Sequence, residues 1–245
     1  MFPFEKFIPI KNSHLSADVV VEKVFPLLTE GRRKKIDDVI DGRTFNISVV
    51  LENIYDRGNA SAVMRSAEAL GLTRVYMIEG GEKFKESQRT TAGADKWIEL
   101  KKYKSTMDCV NQLKKESVQI VVTHLDSTSL PIEKIDFTKS TALVLGNEKD
   151  GVSREILAAA THRVILPMVG FVQSYNISVA AALSFYQVYT DRMRRQGRHG
   201  DLSEDEKMIL KAHYYLRTQP SAEEMLFELI QRGQIKLRDQ GGNDG

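Results

Sequence analysis

Three short stretches put chemically capable side chains beside glycines and small residues. Asn59 and Arg65 belong to one helical run. Gly146, Asn147 and Glu148 follow the apolar residues 142–145, while Ser174, Tyr175 and Asn176 precede the small-residue run 177–184. Amides and hydroxyls both donate and accept hydrogen bonds, the guanidinium is permanently charged with five donors, and a carboxylate can take a proton. Glycine at the end of a buried strand lets a ligand approach the main chain, so the set suits holding a small polar ligand at a sheet edge.

Each stretch also has a plainer reading. Residues 146–153 read equally as a strand-to-helix turn, with Asn147 as the turn residue and Ser153 as a helix cap. An arginine on an amphipathic helix is usually solvated, though the small and apolar neighbours of Arg65 leave a buried, oriented guanidinium open. The third stretch is harder to explain by capping alone. Ser174 and Asn176 supply hydrogen bonds at a helix start, Ala180, Ala181, Ala182 and Ser184 demand close backbone packing, and Pro167, Met168 and Gly170 shape a loop able to wrap an adenosine-like group. Residues 90–97 read as a glycine-containing loop, with Trp97 as core.

Several other chemistries find no support. No GxGxxG follows the first strand and no GxxxxGK[ST] occurs, which argues against a Rossmann dinucleotide site and a P-loop. His14, His124, His162, His199 and His213 are scattered rather than set at metal spacing, so no metal site is expected. Cys109 is the single cysteine, which excludes an internal disulfide and suits a reducing, cytoplasmic setting.

The elements that must carry these residues follow a βαβ rhythm. Strands are expected at 47–51, 75–78, 97–103, 120–123, 142–145 and 164–166, and helices at 59–70, 106–115, 154–160 and 175–195. Apolar runs without alternation indicate strands buried on both faces, hence a three-layer α/β domain with a parallel sheet over about residues 45–197. Residues 1–44 form an amino-terminal extension with helices over 17–41. Residues 198–245 form a carboxyl-terminal helical extension, with Ser203/Glu206 and Ser221/Glu224 as candidate capping boxes.

The charged share of 28% and hydrophobic share of 42% fit an ordinary globular protein, and no run is long and apolar enough to span a bilayer. The amino terminus lacks the zones of a signal peptide. A net charge of +2 says nothing for nucleic acid, but its placement does. Arg32, Arg33, Lys34 and Lys35 are consecutive, and Arg192, Arg194, Arg195 and Arg198 cluster, which reads either as phosphate-binding patches or as solvated helix faces.

Taken together, residues 59–65, 145–153 and 167–182 resemble the three motifs of the SpoU branch of the SPOUT methyltransferases, and most closely the tRNA guanosine 2′-O-methyltransferases that act on the D-loop. The resemblance covers residues 32–195. It implies S-adenosylmethionine as cofactor, a deep trefoil knot over about residues 141–190, a homodimer, and tRNA or rRNA as partner. By the same resemblance Arg65, Asn59, Glu148, Ser174 and Asn176 are catalytic. Thr123, Leu145, Gly146, Ile165, Leu166, Met168, Ser174, Tyr175 and Asn176 bind the cofactor, and Arg32, Arg33, Lys35, Arg43 and Arg192 contact RNA. Guanosine 18 of tRNA is the implied target, with rRNA and a non-catalytic RNA-binding role as alternatives.

Overall fold

The computed structural model describes residues 2–79, 93–147 and 149–235. Glu148 and residues 90–92 of the glycine-containing loop lie outside the described residues. The chain divides into two compact units, one spanning residues 42–201 and the other built from residues 2–41 together with 202–245.

In chain order the elements are strands β1 (Phe7–Ile10) and β2 (Ser13–Ser16), helices α1 (Ala17–Val24) and α2 (Glu30–Asp41), β3 (Thr44–Glu52), α3 (Arg57–Ala69), β4 (Leu72–Ile78), β5 (Glu99–Tyr103) and α4 (Thr106–Lys115). They continue with β6 (Gln119–Thr123), β7 (Leu130–Pro131), β8 (Thr141–Leu145), α5 (Arg154–Ala159), β9 (His162–Ile165), α6 (Ile177–Gln196), α7 (Glu204–Thr218) and α8 (Ala222–Gln231).

The larger unit is built on a seven-stranded sheet in the order β5-β4-β3-β8-β6-β9-β7, and every neighbouring pair is parallel. Helices cover both faces, which is why its central strands are apolar without alternation. On one face Ile47, Val49, Leu51, Val75, Leu143 and Leu145 pack with Ala60, Val63, Met64 and Ala67 of α3 and Ala181, Phe185 and Val188 of α6. On the other, Val50, Tyr76, Ile78, Val122 and Val144 pack with Cys109, Val110 and Leu113 of α4 and Ile156 of α5.

Two late strands are laid between earlier ones. β8 pairs with β3 and β6, and β9 pairs with β6 and β7, so the sheet cannot be completed in chain order. At the carboxyl end of α6, buried ion pairs fasten the unit's two chain ends. Arg192 donates to the carbonyls of His199 and Phe137 and to Asp201 at 2.6 Å, while Asp201 also accepts from Thr44 and Asn46.

The second unit opens with an antiparallel hairpin, β1 with β2, that the sequence reading did not place. Pro9 in a four-residue strand and the turn through Lys11, whose φ is +52°, hide the alternation. Ile8, Ile10 and Leu15 of the hairpin are buried, as are Val20 and Val24 of α1, Ile36 and Ile40 of α2, Leu210 and Tyr215 of α7, and Leu226 of α8. The expected capping box forms at Ser203 with Glu206. It does not form at Ser221, which is itself helical and whose hydroxyl accepts from Gln219 instead. Trp97 ends a short 3₁₀ turn rather than opening a strand, and Ile98 takes the core position.

Candidate functional site

Strand β3 ends in a buried carboxylate, Glu52, then turns through Asn53 at φ +53° and enters α3. Asp56 starts that helix, accepting hydrogen bonds from the main-chain N–H groups of Gly58 and Asn59 at 2.6 and 3.1 Å. The sequence reading placed the helix start at Asn59 and missed this cap. An aspartate two residues before a glycine is the signal that would have found it. With Ala60, Val63, Met64 and Ala67 turned to the core, Arg65 falls on the opposite side and is exposed. It makes no hydrogen bond or ion pair to a described residue. The buried guanidinium left open by its neighbours is therefore not what forms.

Asn176 is the N-cap of α6, its side-chain oxygen accepting from the main-chain N–H and hydroxyl of Ser178 at 2.9 and 2.6 Å. Its amide nitrogen donates to the side-chain oxygen of Asn59 at 3.3 Å. The fold thus joins the start of α3 to the start of α6, residues far apart in the chain. Small residues make this possible, since Ala181 and Ser184 on α6 and Ala60 and Ala67 on α3 are all fully buried.

The stretch after β8 is a tight turn. The main-chain groups of Asn147 and Gly151 exchange two 2.9 Å hydrogen bonds. The Asn147 side-chain oxygen accepts from the N–H groups of Lys149 and Asp150, and its amide donates to the Asn53 carbonyl at 2.7 Å. Ser153 then caps α5 through Ile156. A Cβ on Gly146 would stand 2.4 Å from the Gly151 carbonyl carbon, so the turn itself requires glycine there. Of the two sequence readings of this stretch, the turn with Asn147 as turn residue and Ser153 as cap is what forms, and Gly146 and Asn147 reach the cleft as well.

A cavity of about 230 Å³ opens at the carboxyl ends of β6, β8 and β9. Thr123, Gly146, Ile165, Leu166, Met168, Ser174 and Tyr175, all expected to bind cofactor, line it. Leu145 and Asn176 do not, because Leu145 is buried in the sheet and Asn176 is turned to Asn59. His124, Asn147, Gly151, Gln173, Ile177 and Ala180 also line it and were not foreseen. The Tyr175 hydroxyl donates to the Pro167 carbonyl at 3.0 Å, closing the loop that forms one wall.

Among the described residues no lysine, arginine, aspartate or glutamate lines the cleft, and apolar side chains from β9 and α6 share its lining with amides, hydroxyls and main-chain groups. Such a wall accepts a flat apolar ring on one side and leaves a cationic group unrepelled. Next to it Asp126 is held well below the ordinary carboxylate range, chiefly by hydrogen bonds from Thr128 and also by Arg163, so it stays ionised. Cys109 is no candidate nucleophile, since burial pushes its thiol up to about 12. Among the described residues no cluster of ligands fit for a metal ion occurs.

The expected RNA contacts divide sharply. Arg32 and Lys35 of α2 are exposed, and Arg33 lies over the Phe25 ring with a hydrogen bond to the Phe25 carbonyl. Arg43 and Arg192 are 1% exposed, Arg43 pairing with Glu68 at 2.6 Å and Arg192 with Asp201. Both guanidiniums are structural, and neither is available to a phosphate. A run of basic residues does not reveal which of them meets a buried carboxylate, so the sequence had no means to separate these two.

A doubly covered parallel sheet with a ligand cleft at its carboxyl edge, between strands inserted out of chain order, defines an α/β protein that binds a small molecule at its switch point. Comparison with known proteins narrows this. The SpoU rRNA Methylase family matches residues 46–186. The tRNA (guanosine(18)-2′-O)-methyltransferase of Borreliella burgdorferi is 38% identical over 188 residues, 77% of this chain and 86% of that protein. The crystal structure of the Aquifex aeolicus TrmH/SpoU tRNA modifying enzyme superposes with a TM-score of 0.67 at 33% identity, covering 76% of this chain and 96% of that one. The AdoMet-bound rRNA methyltransferase of Sinorhizobium meliloti gives 0.56 at 26% identity, covering 65% and 60%. The chain belongs to the SpoU methylase family.

Proposed function

We propose that this protein methylates the ribose 2′-oxygen of guanosine 18 in tRNA, using S-adenosylmethionine. The observation that carries the reading is the 3.3 Å bridge between Asn59 and Asn176, which joins two of the family's motifs beside the cleft formed with the third. The relatives named as acting on guanosine 18 supply the substrate. When bound, S-adenosylmethionine supplies an electrophilic methyl group on a sulfonium centre. The cleft's lining, with apolar β9 and α6 side chains beside polar main-chain groups, fits such a cofactor, and Thr123, Gly146, Leu166, Met168, Ser174 and Tyr175 would hold it.

The chain's own residues then have to deliver the 2′-hydroxyl in line and manage its proton, a task dominated by positioning. Arg65, exposed and unpaired among the described residues, binds the phosphate beside the target ribose and stabilises the developing alkoxide. A guanidinium titrates above about 12, so it acts as an electrostatic partner more readily than as a base. Glu148, outside the described residues, is assigned as the competing proton acceptor on the family motif alone. Asn59 and Asn176 keep the two helix starts in register, and Arg32, Arg33 and Lys35 supply charge for the RNA backbone.

Two further parts of this reading rest on the fold. Insertion of β8 and β9 between earlier strands supports a trefoil knot over about residues 141–190. Exposed Val179, Leu183 and Tyr186 make an apolar stripe along α6, and Val169, Phe171 and Val172 extend apolar exposure next to the cleft, which supports a homodimer. No helix among the described residues is long and apolar enough to cross a membrane, and a tRNA substrate supports a cytoplasmic setting.

The test is transfer of label from S-adenosylmethionine to purified tRNA or to rRNA, followed by mapping of the methylated nucleotide. Label at guanosine 18 of tRNA supports the reading. Label confined to rRNA would establish the sister activity instead, and RNA binding without methylation would leave a non-catalytic protein.

A further inference from the structure

Glu52 is a buried carboxylate that the proposed chemistry does not use. It is 1% exposed at the last position of β3. One oxygen accepts from the main-chain N–H of Ser153 at 2.7 Å, and the other accepts from the Thr106 hydroxyl, also at 2.7 Å. Among the described residues no lysine, arginine or histidine pairs with it. A buried charge without a counter-ion is costly, and a neutral side chain of the same shape would pack as well. A reason beyond packing lies in the two donors it holds.

That reason is visible in what the two neighbouring residues hold. The Asn53 carbonyl, set by a left-handed backbone, accepts from the Asn147 amide at 2.7 Å. Asn147 and Ser153 bracket the turn that follows β8, and Asn147, Gly146 and Gly151 line the cleft. Both ends of that turn are therefore tied to consecutive residues, Glu52 at the end of β3 and Asn53 just after it. Just beyond, Asp56 starts the helix that carries Asn59 and Arg65. A single strand end sets the position of the cleft's turn and of the helix bearing the proposed catalytic arginine.

We propose that Glu52 is a positioning residue that fixes the turn of residues 146–153 in its cofactor-binding shape, and with it the separation between that turn and helix α3. The proposal rests on the S-adenosylmethionine reading above. A carboxylate suits the task because each oxygen can accept from a separate donor. Methionine, of similar length, carries no oxygen for either donor, whereas glutamine could keep both ties, its oxygen accepting from the Ser153 N–H and its NH₂ donating to the Thr106 hydroxyl.

The experiment measures binding of S-adenosylhomocysteine by calorimetry, alongside thermal unfolding, for wild type, Glu52→Met and Thr106→Val. Thr106→Val removes only the tie to α4, and its affinity is expected to equal that of wild type even where the melting point falls. Folded Glu52→Met is expected to bind on the order of tenfold more weakly, the loss typical of a hydrogen bond to a charged group. At saturating tRNA its KM for the methyl donor should rise more than its kcat falls.

Ser153→Pro and Ser153→Ala provide a second route should Glu52→Met not fold. Ser153 has φ −66°, which proline adopts, so Ser153→Pro removes the N–H while Ser153→Ala removes the same hydroxyl cap and keeps the N–H. Weaker binding in the proline variant than in the alanine variant is the expected result. Equal affinity of folded Glu52→Met and wild type, or of the two Ser153 variants, overturns the positioning role. Failure of wild type itself to bind S-adenosylhomocysteine would overturn the functional reading instead, and the inference with it.

Discussion

Arg65 and Asn59 share a helix but stand in different surroundings, and their substitutions should separate accordingly. Arg65 is exposed and unpaired among the described residues, so its replacement should hardly touch folding. Lysine keeps the charge but loses the planar fork that grips a phosphate. Arg65→Lys should lower single-turnover methylation on the order of a hundredfold, a size typical for loss of one oriented donor at a developing oxyanion, with unchanged S-adenosylhomocysteine affinity. Near-normal turnover would remove Arg65 from the mechanism. Asn176, by contrast, caps α6 and bridges to Asn59, so Asn176→Ala should cost about 1 kcal/mol of stability in urea unfolding as well as activity. The candidate site residues stood out in the sequence because amides, a guanidinium and glycines interrupted otherwise small or apolar runs. Buried partners did not stand out. Nothing in the local sequence of Arg43 or Arg192 reports Glu68 or Asp201, and nothing near Glu52 reports Ser153, because those pairings exist only after the chain has folded.

The strands with long apolar runs were legible as elements, since a strand covered on both faces cannot alternate. α4 spans the residues its pattern marked, Thr106–Lys115. Short elements were not legible. β7 is a two-residue strand containing a proline, and β1 and β2 are four residues each, below the length at which periodicity is informative. Sheet order was equally hidden, because β8 and β9 join neighbours that local pattern does not specify. The turn after β8 yields a sharper prediction at this scale. Gly146→Ala would force a methyl group to within 2.5 Å of the Gly151 carbonyl oxygen, backbone that cannot swing aside. It should destabilise the protein by about 1–3 kcal/mol, as overpacking does, and should abolish cofactor binding because the cleft wall must move. Unchanged calorimetric affinity in that variant would show that the turn is slack.

For the molecule as a whole, stability should depend on pH. His199 is buried in the larger unit, and burial together with the neighbouring Arg192 guanidinium lowers its pKa to about 4. A base whose folded pKa is depressed binds fewer protons folded than unfolded. Its contribution is complete above the unfolded value of about 6.5 and is lost as pH falls from there toward 4, at up to about 1.4 kcal/mol per pH unit. Urea unfolding across that window should show the decline, and His199→Gln should flatten it. The exposed stripe on α6 makes a second prediction at this scale. Leu183→Arg should convert a dimer to a monomer in sedimentation equilibrium, whereas a wild-type monomer would remove the dimer from the account. The central claim is that a cleft between two turns presents a methyl donor to one ribose hydroxyl. Its most direct measurement compares two tRNAs identical except for 2′-deoxyguanosine at position 18. The account predicts label transfer to the all-ribose tRNA and none to the deoxy form, and equal labelling of both, or of neither, would contradict it.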